Sequence, residues 1–428
     1  MNAPVAGLSL EQAPPISLSF RFFLSAPLFL LLASLILLVS GPQALISRWT
    51  PALLALTHLI TLGFLSMTMI GALMQMLPVV AGAPMPWPRT VAWMVHIPLL
   101  AGTLMLAFGL FFSWTAMIGI AIFPLAFAFG VFLVAAACSL SASQVRHATM
   151  RAMRFASLAL AVTAGLGIAL AGTLGGYFDL PLSELVGLHA GWGLLGWVGL
   201  LVAGVAYQVV PMFQLTQAYP ARLTRWLGGT VFLLLCGWSL VPYLPPLPAA
   251  WGGALATGGV ATGFALFAGA TLYVQHKRRR RVVDVTLQFW RIGMLSLIAA
   301  ITLWAAAQLT TAIAEDPRYP IALGILFMMG FAVSVVSGML YKIVPFLVWL
   351  HLQSRLPKDK TTPNMKQIIP DRAARRHMWT HTASVLLLLG SMPWPLLVYP
   401  AGLALGLASC MLWLNLLAAV RLYLRLAR

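Results

Sequence analysis

Charged side chains are scarce in this 428-residue chain: they make up 8% of it, and only 8 are acidic. Soluble domains carry roughly a quarter charged residues, so a chain this poor in them cannot cover a water-facing surface, and a soluble globular fold is excluded. Cysteine is equally sparse. Cys138, Cys236 and Cys410 lie far apart inside apolar stretches with no CxxC pair, which excludes a disulfide framework and a cysteine-based zinc site. The first nineteen residues contain no Lys or Arg, so they lack the charged start of a cleavable signal peptide and read as a short disordered cytoplasmic tail, 1–19.

What the chain has in abundance is apolar length. Hydrophobic residues make up 61% of it, and the mean hydropathy is +0.94. A helix needs about 20 apolar residues to span a bilayer. Stretches that meet this fall approximately at 20–40, 52–77, 91–112, 117–140, 155–175, 185–210, 223–243, 251–274, 292–313, 321–350, 377–392 and 396–423. The expected fold is all-α: a polytopic membrane protein of about twelve transmembrane helices forming a single transmembrane domain over residues 20–428. The 377–392 stretch is the weakest, because Pro393 and Pro395 follow it closely.

The 26 basic residues give a net charge of +18, which in a soluble chain would suggest nucleic acid. Here they collect on alternate loops. Arg89, then Arg146, Arg151 and Arg154, then Arg222 and Arg225, then Lys277 to Arg281, then the run from Arg355 to Arg376, and finally Arg421, Arg425 and Arg428 all fall on one side. The other side holds Arg48 and Arg318 with Asp179, Glu184, Glu315 and Asp316. Lys and Arg concentrate in cytoplasmic loops, so both termini are expected in the cytoplasm of a cell with this protein in its inner membrane, the bilayer being its main partner and nucleic acid none.

A threefold repeat runs through the chain. Gly63/Gly71/Gln75/Pro78, Gly196/Gly204/Gln208/Pro211 and Gly330/Gly338/Lys342/Pro345 share one spacing, offset by 133 and then 134 residues. Three copies imply three pseudo-symmetric four-helix units, at about 20–140, 155–274 and 292–423. The glycines permit close helix approach, and the Gln, Gln and Lys read as structural residues reaching the inner interface. Pro78, Pro211 and Pro345 are each expected near the cytoplasmic end of their helix, where a broken hydrogen bond is least costly.

Eight histidines remain to be placed. His147, His276, His351 and His377 fall in or beside cytoplasmic loops, and His96 and His381 near the inner ends of the third and eleventh spans read as interfacial. His58 and His189 enter the outer third of the second and sixth spans, five residues before Gly63 and seven before Gly196. An ionisable side chain inside a span is costly and points to function. Two neutral imidazoles suit a haem iron or a copper ion; the plainer reading is that each donates to a carbonyl or a water.

Twelve spans, three four-helix units and these two histidines resemble subunit I of the haem-copper oxidase superfamily. The stretch HLITLGFLSMTMIGALMQMLPV from His58 to Val79 is also similar to the corresponding helix of the NnrS haem-protein family. The resemblance implies that His58 ligates a low-spin haem and His189 a copper. The departures from it are specific. The seventh span, Leu223 to Tyr243, has no histidine; the tenth has no His-x-His and offers Met328 and Met329 instead; and Gly193 stands where a Tyr would follow His189. With no carboxylate in the membrane interior, a complete oxygen-reducing, proton-pumping centre is not expected. The expectation is a reduced oxidase-like scaffold holding one b-type haem through His58, with His189 or a tenth-span methionine opposite, copper being the other metal open. It would act in respiratory electron transfer or in nitric-oxide or redox stress handling, with respiratory-chain proteins or a small gaseous ligand as partners. The alternatives are a cofactor-free transporter for a small solute, with Tyr207, Gln208, Tyr341 and Lys342 as pore-lining residues, and an accessory subunit of a respiratory complex.

Overall fold

The computed structural model describes residues 14–82, 85–143, 147–278, 284–355 and 361–427, and among them there is no strand. Among the described residues, eleven helices are long and apolar enough to cross a membrane: α1 (Ile16–Leu45), α2 (Pro51–Val79), α3 (Pro88–Phe111), α4 (Thr115–Ala142), α5 (Ala148–Leu174), α6 (Leu182–Gln214), α7 (Ala221–Tyr243), α8 (Trp251–His276), α9 (Val285–Leu309), α10 (Tyr319–Gln353) and α12 (Pro395–Leu426). The stretch expected at 377–392 is the later part of a 20-residue helix, α11 (Asp371–Gly390), whose first turns carry Arg372, Arg375 and Arg376. The first helix begins at Ile16, inside the stretch expected to be a disordered tail; the remainder of that tail, 1–13, lies outside the described residues.

Basic residues expected in loops sit largely in the terminal turns of helices. Arg89, Arg151, Arg154, Arg222, Arg225 and Arg425 are all helical, which long side chains tolerate because the charge can lie beyond the apolar stem. Their contacts gather them at one end of the bundle. The Arg21 guanidinium lies 3.9 Å over the Trp93 ring, Arg151 donates to the Arg225 carbonyl, Arg355 lies over Tyr423, and His351 Nε2 meets the Pro14 carbonyl at 3.3 Å. Arg146, Arg279 to Arg281, Lys358, Lys360 and Arg428, also expected at this end, fall outside the described residues.

His147, at the head of α5, shows how such an end is held. Its ring Nδ1 accepts the Met150 N–H, which requires the neutral ring, and burial together with nearby Arg151 lowers its pKa. Because the folded-state pKa lies below the unfolded value, this contribution is present above the unfolded pKa of about 6.5 and is lost as pH falls through the lowered folded value. A pH titration of thermal unfolding is expected to show this acid loss in the wild-type chain and a smaller one in His147→Asn, which caps without titrating.

Neighbours in the chain pack side by side, and α12 closes the bundle against α1. At its centre stand the three helices that carry the repeat. In α2, α6 and α10, 67%, 67% and 72% of the most apolar window is buried, against half or less in every other spanning helix. The reason lies in the glycines. A Cβ at Gly63, Gly71, Gly196, Gly204, Gly330 or Gly338 would come within 3 Å of Phe29, Phe22, Ala159, Ala152, Ser296 or Phe289 respectively. Each central helix therefore lays two glycines, eight positions apart, on two residues seven apart in the helix that precedes it in its unit: α1, α5 or α9.

The prolines of the repeat do not all stand where they were expected. None of the three ends its helix: Pro78, Pro211 and Pro345 are all internal to helical stretches. Pro78 and Pro211 come close to the expectation, each lying three residues before the last helical residue, Ala81 and Gln214. Pro345 departs from it. The helix continues past Pro345 for eight residues to Gln353, and the proline is itself buried. Proline forfeits the bond to the carbonyl four residues earlier, here that of Tyr341, and its ring crowds that turn. The two turns beyond it bury Leu347, Val348 and Leu352 against the bundle. Packing of those side chains offsets the missing bond, so the helix does not stop at the proline.

The repeat has a further expression in the backbone. The three central helices each widen into a π-helical stretch, Leu59–Ser66, Trp192–Gly199 and Ile325–Val333, whose starts are 133 residues apart. These stretches touch one another on the axis of the bundle. Such widenings are rare and concentrate at functional sites.

Candidate cofactor site

His58 is the last α-helical residue before the π stretch of α2, and His189 lies three residues before that of α6. Each is seven residues from the start of its helix, at the end of the bundle opposite the basic residues. In strict repeat register the counterpart of His58 is Gly191, where a side chain would strike the Trp238 ring. His189 stands two positions earlier, and the helices bring the two rings together nonetheless. Their centroids are 6.3 Å apart and their planes 22° from parallel.

Both imidazoles are oriented through the same nitrogen. His58 Nδ1 donates to the Leu54 carbonyl at 2.8 Å within its own helix, and His189 Nδ1 donates to the Thr163 carbonyl of α5 at 3.1 Å. A proton held on Nδ1 by a carbonyl leaves the Nε2 lone pair available, the arrangement found at imidazole ligands of metals. Two imidazoles bonded to one metal from opposite sides, with metal–nitrogen bonds of about 2.0 Å, have ring centres roughly 6 Å apart. The donor set and its spacing therefore fit one haem iron or one copper ion held between the two rings.

The local sequence around α5 makes this possible. Thr163 directs its hydroxyl to the Ala159 carbonyl at 2.7 Å, and its own carbonyl faces His189. Gly167, one turn on, is needed for clearance, since a Cβ there would lie 3.0 Å from His189 Cε1. Neither Thr163 nor Gly167 stood out in the sequence, because their role appears only once α5 lies beside α6.

The methionines expected as a further ligand are not joined to this pair. Met329 is buried and its carbonyl accepts from the Ser334 hydroxyl and faces His381 of α11, and the Met328 methyl lies beside Gly324. Among the described residues there is no cluster of three or more His, Cys, Asp or Glu side chains.

Other histidines depart from their expected places. His377, expected beside a loop, is 2% exposed, and His381, expected at the interface, is 1% exposed. Four residues apart on α11, they share one face with ring centroids 6.1 Å apart, against Phe289 of α9. His381 Nε2 pairs with the Ser334 hydroxyl at 2.9 Å, while His377 packs against Tyr341, whose hydroxyl accepts from Asn415. The His-x3-His spacing was the available signal, masked by the arginines that precede it and make the segment read as a loop. His96 pairs with Ser25 at 2.9 Å and is buried.

The residues assigned to pore lining under the transport alternative divide. Gln208 lines an axial cavity together with Gln75. Tyr207 packs on Tyr219, Tyr341 pairs with Asn415, and Lys342 pairs with Asp284 at 2.8 Å, so those three are committed to helix contacts instead. Nor does Gln75 reach the interface, being only 5% exposed.

No protein-family model matches this chain, and no curated protein is significantly similar to it.

Proposed function

We propose that this chain is a multi-pass redox protein of the inner membrane that holds one b-type haem between His58 and His189 and passes single electrons. The observation that carries the reading is the pairing of two Nδ1-anchored imidazoles, 6.3 Å apart, from two repeat-related helices. A haem bound there would be held by His58 and His189 and would supply one-electron transfer. The carbonyls of Leu54 and Thr163 fix the two rings, and Gly167 keeps the second ring clear of α5. This is the chemistry of the haem-copper oxidase scaffold that the sequence resembles, without its oxygen-reducing centre.

The gathering of basic side chains at one end supports an orientation with that end, and both termini, in the cytoplasm. His58 and His189 then lie toward the outer surface, about 10 Å along their helices at 1.5 Å per residue. An electron donor of the respiratory chain approaching from the outer side fits this depth.

The test is the absorption spectrum of the purified, detergent-solubilised protein, oxidised and reduced, beside His58→Ala and His189→Ala. A Soret band that shifts on reduction and is lost in either variant is the expected result. A colourless wild-type protein from haem-replete cells overturns the haem reading, and stoichiometric copper in that colourless protein replaces it with the copper one.

A further inference from the structure

Below the π stretches, the axis between α2, α6 and α10 is not filled. Two adjoining chambers of about 70 Å³ each lie there, sharing Ala72, Met76 and Ile343 in their walls. The deeper one is bounded by Thr68, Leu201, Val335 and Met339 and capped from the side by Trp290. The other lies toward the basic end, between Gln75 and Gln208, with Phe213 and Phe346 beyond them.

The chambers differ in the polar residues that stand at their walls. A buried water needs two to four polar partners. Gln75 and Gln208 both line the chamber toward the basic end, and the Gln75 amide is buried with neither oxygen nor nitrogen hydrogen-bonded. The deeper chamber has only the Thr68 hydroxyl and the Trp290 indole N–H, both buried and without partners, in a wall that is otherwise aliphatic and methionine. Aliphatic cavities of this kind stay dry and take up apolar guests.

We infer that the deeper chamber is a binding site for a small uncharged apolar molecule, of the size of a dissolved diatomic gas, reached from the basic end past the Gln75/Gln208 pair. The site is separate from the histidine pair: Thr68 lies ten residues beyond His58 on α2, with the whole π stretch between them. A lipid chain is a poor occupant, because the walls come from the three central helices and Trp290 of α9, and the three central helices are the most buried of the spanning helices. A charged or strongly polar molecule is excluded because only two polar groups would meet it.

Xenon is the probe. The full-length chain in nanodiscs is titrated with xenon and followed by xenon-129 NMR, with empty nanodiscs as the blank. The wild type is expected to show a saturable component above the blank. Val335→Phe from α10 and Leu201→Phe from α6 are each expected to reduce its affinity at least tenfold by filling the space, whereas Thr68→Val retains it. A wild-type titration that follows the blank overturns the proposal, as does a saturable component that survives both filling variants. Should one filled variant fail to fold, the other and the wild-type comparison still decide. Because the same component is expected in His58→Ala, loss of the haem reading and loss of this one are read separately.

Discussion

Leucine in place of Gly338 is expected to destabilise the folded bundle by about 1–3 kcal/mol or more, the range for overpacking a well-filled core. The site has no slack. A Cβ there would lie 2.6 Å from the Phe289 Cβ, and Phe289 is itself fully buried against His377, His381 and Tyr341. The ring therefore cannot turn aside, and α9 and α10 must separate. Gly71→Leu repeats the experiment in the first unit, where the Cβ would lie 2.6 Å from that of Phe22. Gly269→Leu on α8 is the control, because nothing lies within 4 Å of its missing Cβ. Leucine there is expected to be neutral or mildly stabilising, since glycine costs a helix interior about 1 kcal/mol. Thermal unfolding in detergent separates the cases. Equal melting temperatures for Gly338→Leu and Gly269→Leu would sink the claim that the repeat glycines set the helix spacing.

Neutralising Asp284 is the second change expected to cost heavily. Lys342 Nζ lies 2.8 Å from Asp284 Oδ2, and the two side chains are 19% and 12% exposed, so the pair is largely removed from solvent. Among the described residues it is the ion pair that joins two spanning helices, α9 and α10. Removing one partner leaves a buried charge uncompensated, which typically costs about 3–5 kcal/mol. The lower end is expected, because the pair sits near the basic end of the bundle, where Lys can turn toward water. Asp284→Asn is the variant of choice, because Asp284 Oδ1 also accepts the Leu287 N–H at the head of α9, and Asn preserves that cap. The molecule supplies its own rescue. The first two repeats carry Gln75 and Gln208 where the third has Lys342, so Asp284→Asn with Lys342→Gln is expected to recover most of the loss. Failure of the double variant to recover would show that the cost lies in the cap or the packing rather than in the stranded charge.

Much of the architecture was legible in the chain. Scarce charge and long apolar runs assigned it to the membrane, and eleven of the expected spans return as helices of spanning length. The Gly, Gln or Lys, and Pro spacing marked α2, α6 and α10, which prove to be the central helices. That spacing also carried the packing rule, since the same glycines meet α1, α5 and α9 in all three units. It did not carry where each helix stops: Pro78 and Pro211 lie in a last turn, whereas Pro345, at the same repeat position, is followed by eight further helical residues. The π stretches, likewise, have no distinct residue pattern, and their 133-residue recurrence emerges only from the backbone.

The candidate site was half legible. His58 and His189 stand out in sequence as ionisable residues inside apolar helices. Their pairing does not, because they are two positions out of repeat register and their alignment depends on the Thr163 carbonyl and the clearance at Gly167, both from a third helix. His377 was misplaced for a related reason: Arg372, Arg375 and Arg376 just before it suggest a loop, while the turn of α11 aims its ring into the bundle.

By itself, then, the sequence determined the environment, the helices, their repeat and the end at which charge gathers, because these follow from local hydropathy, from charge and from residues whose small size has only one use. Tertiary structure alone decided which face of each helix turns inward, which histidines meet, and where the axis stays open. The physical reason is that lipid and protein interior are equally apolar. Hydropathy cannot distinguish a side chain facing one from a side chain facing the other, so facing is set by close packing between helices distant in the chain.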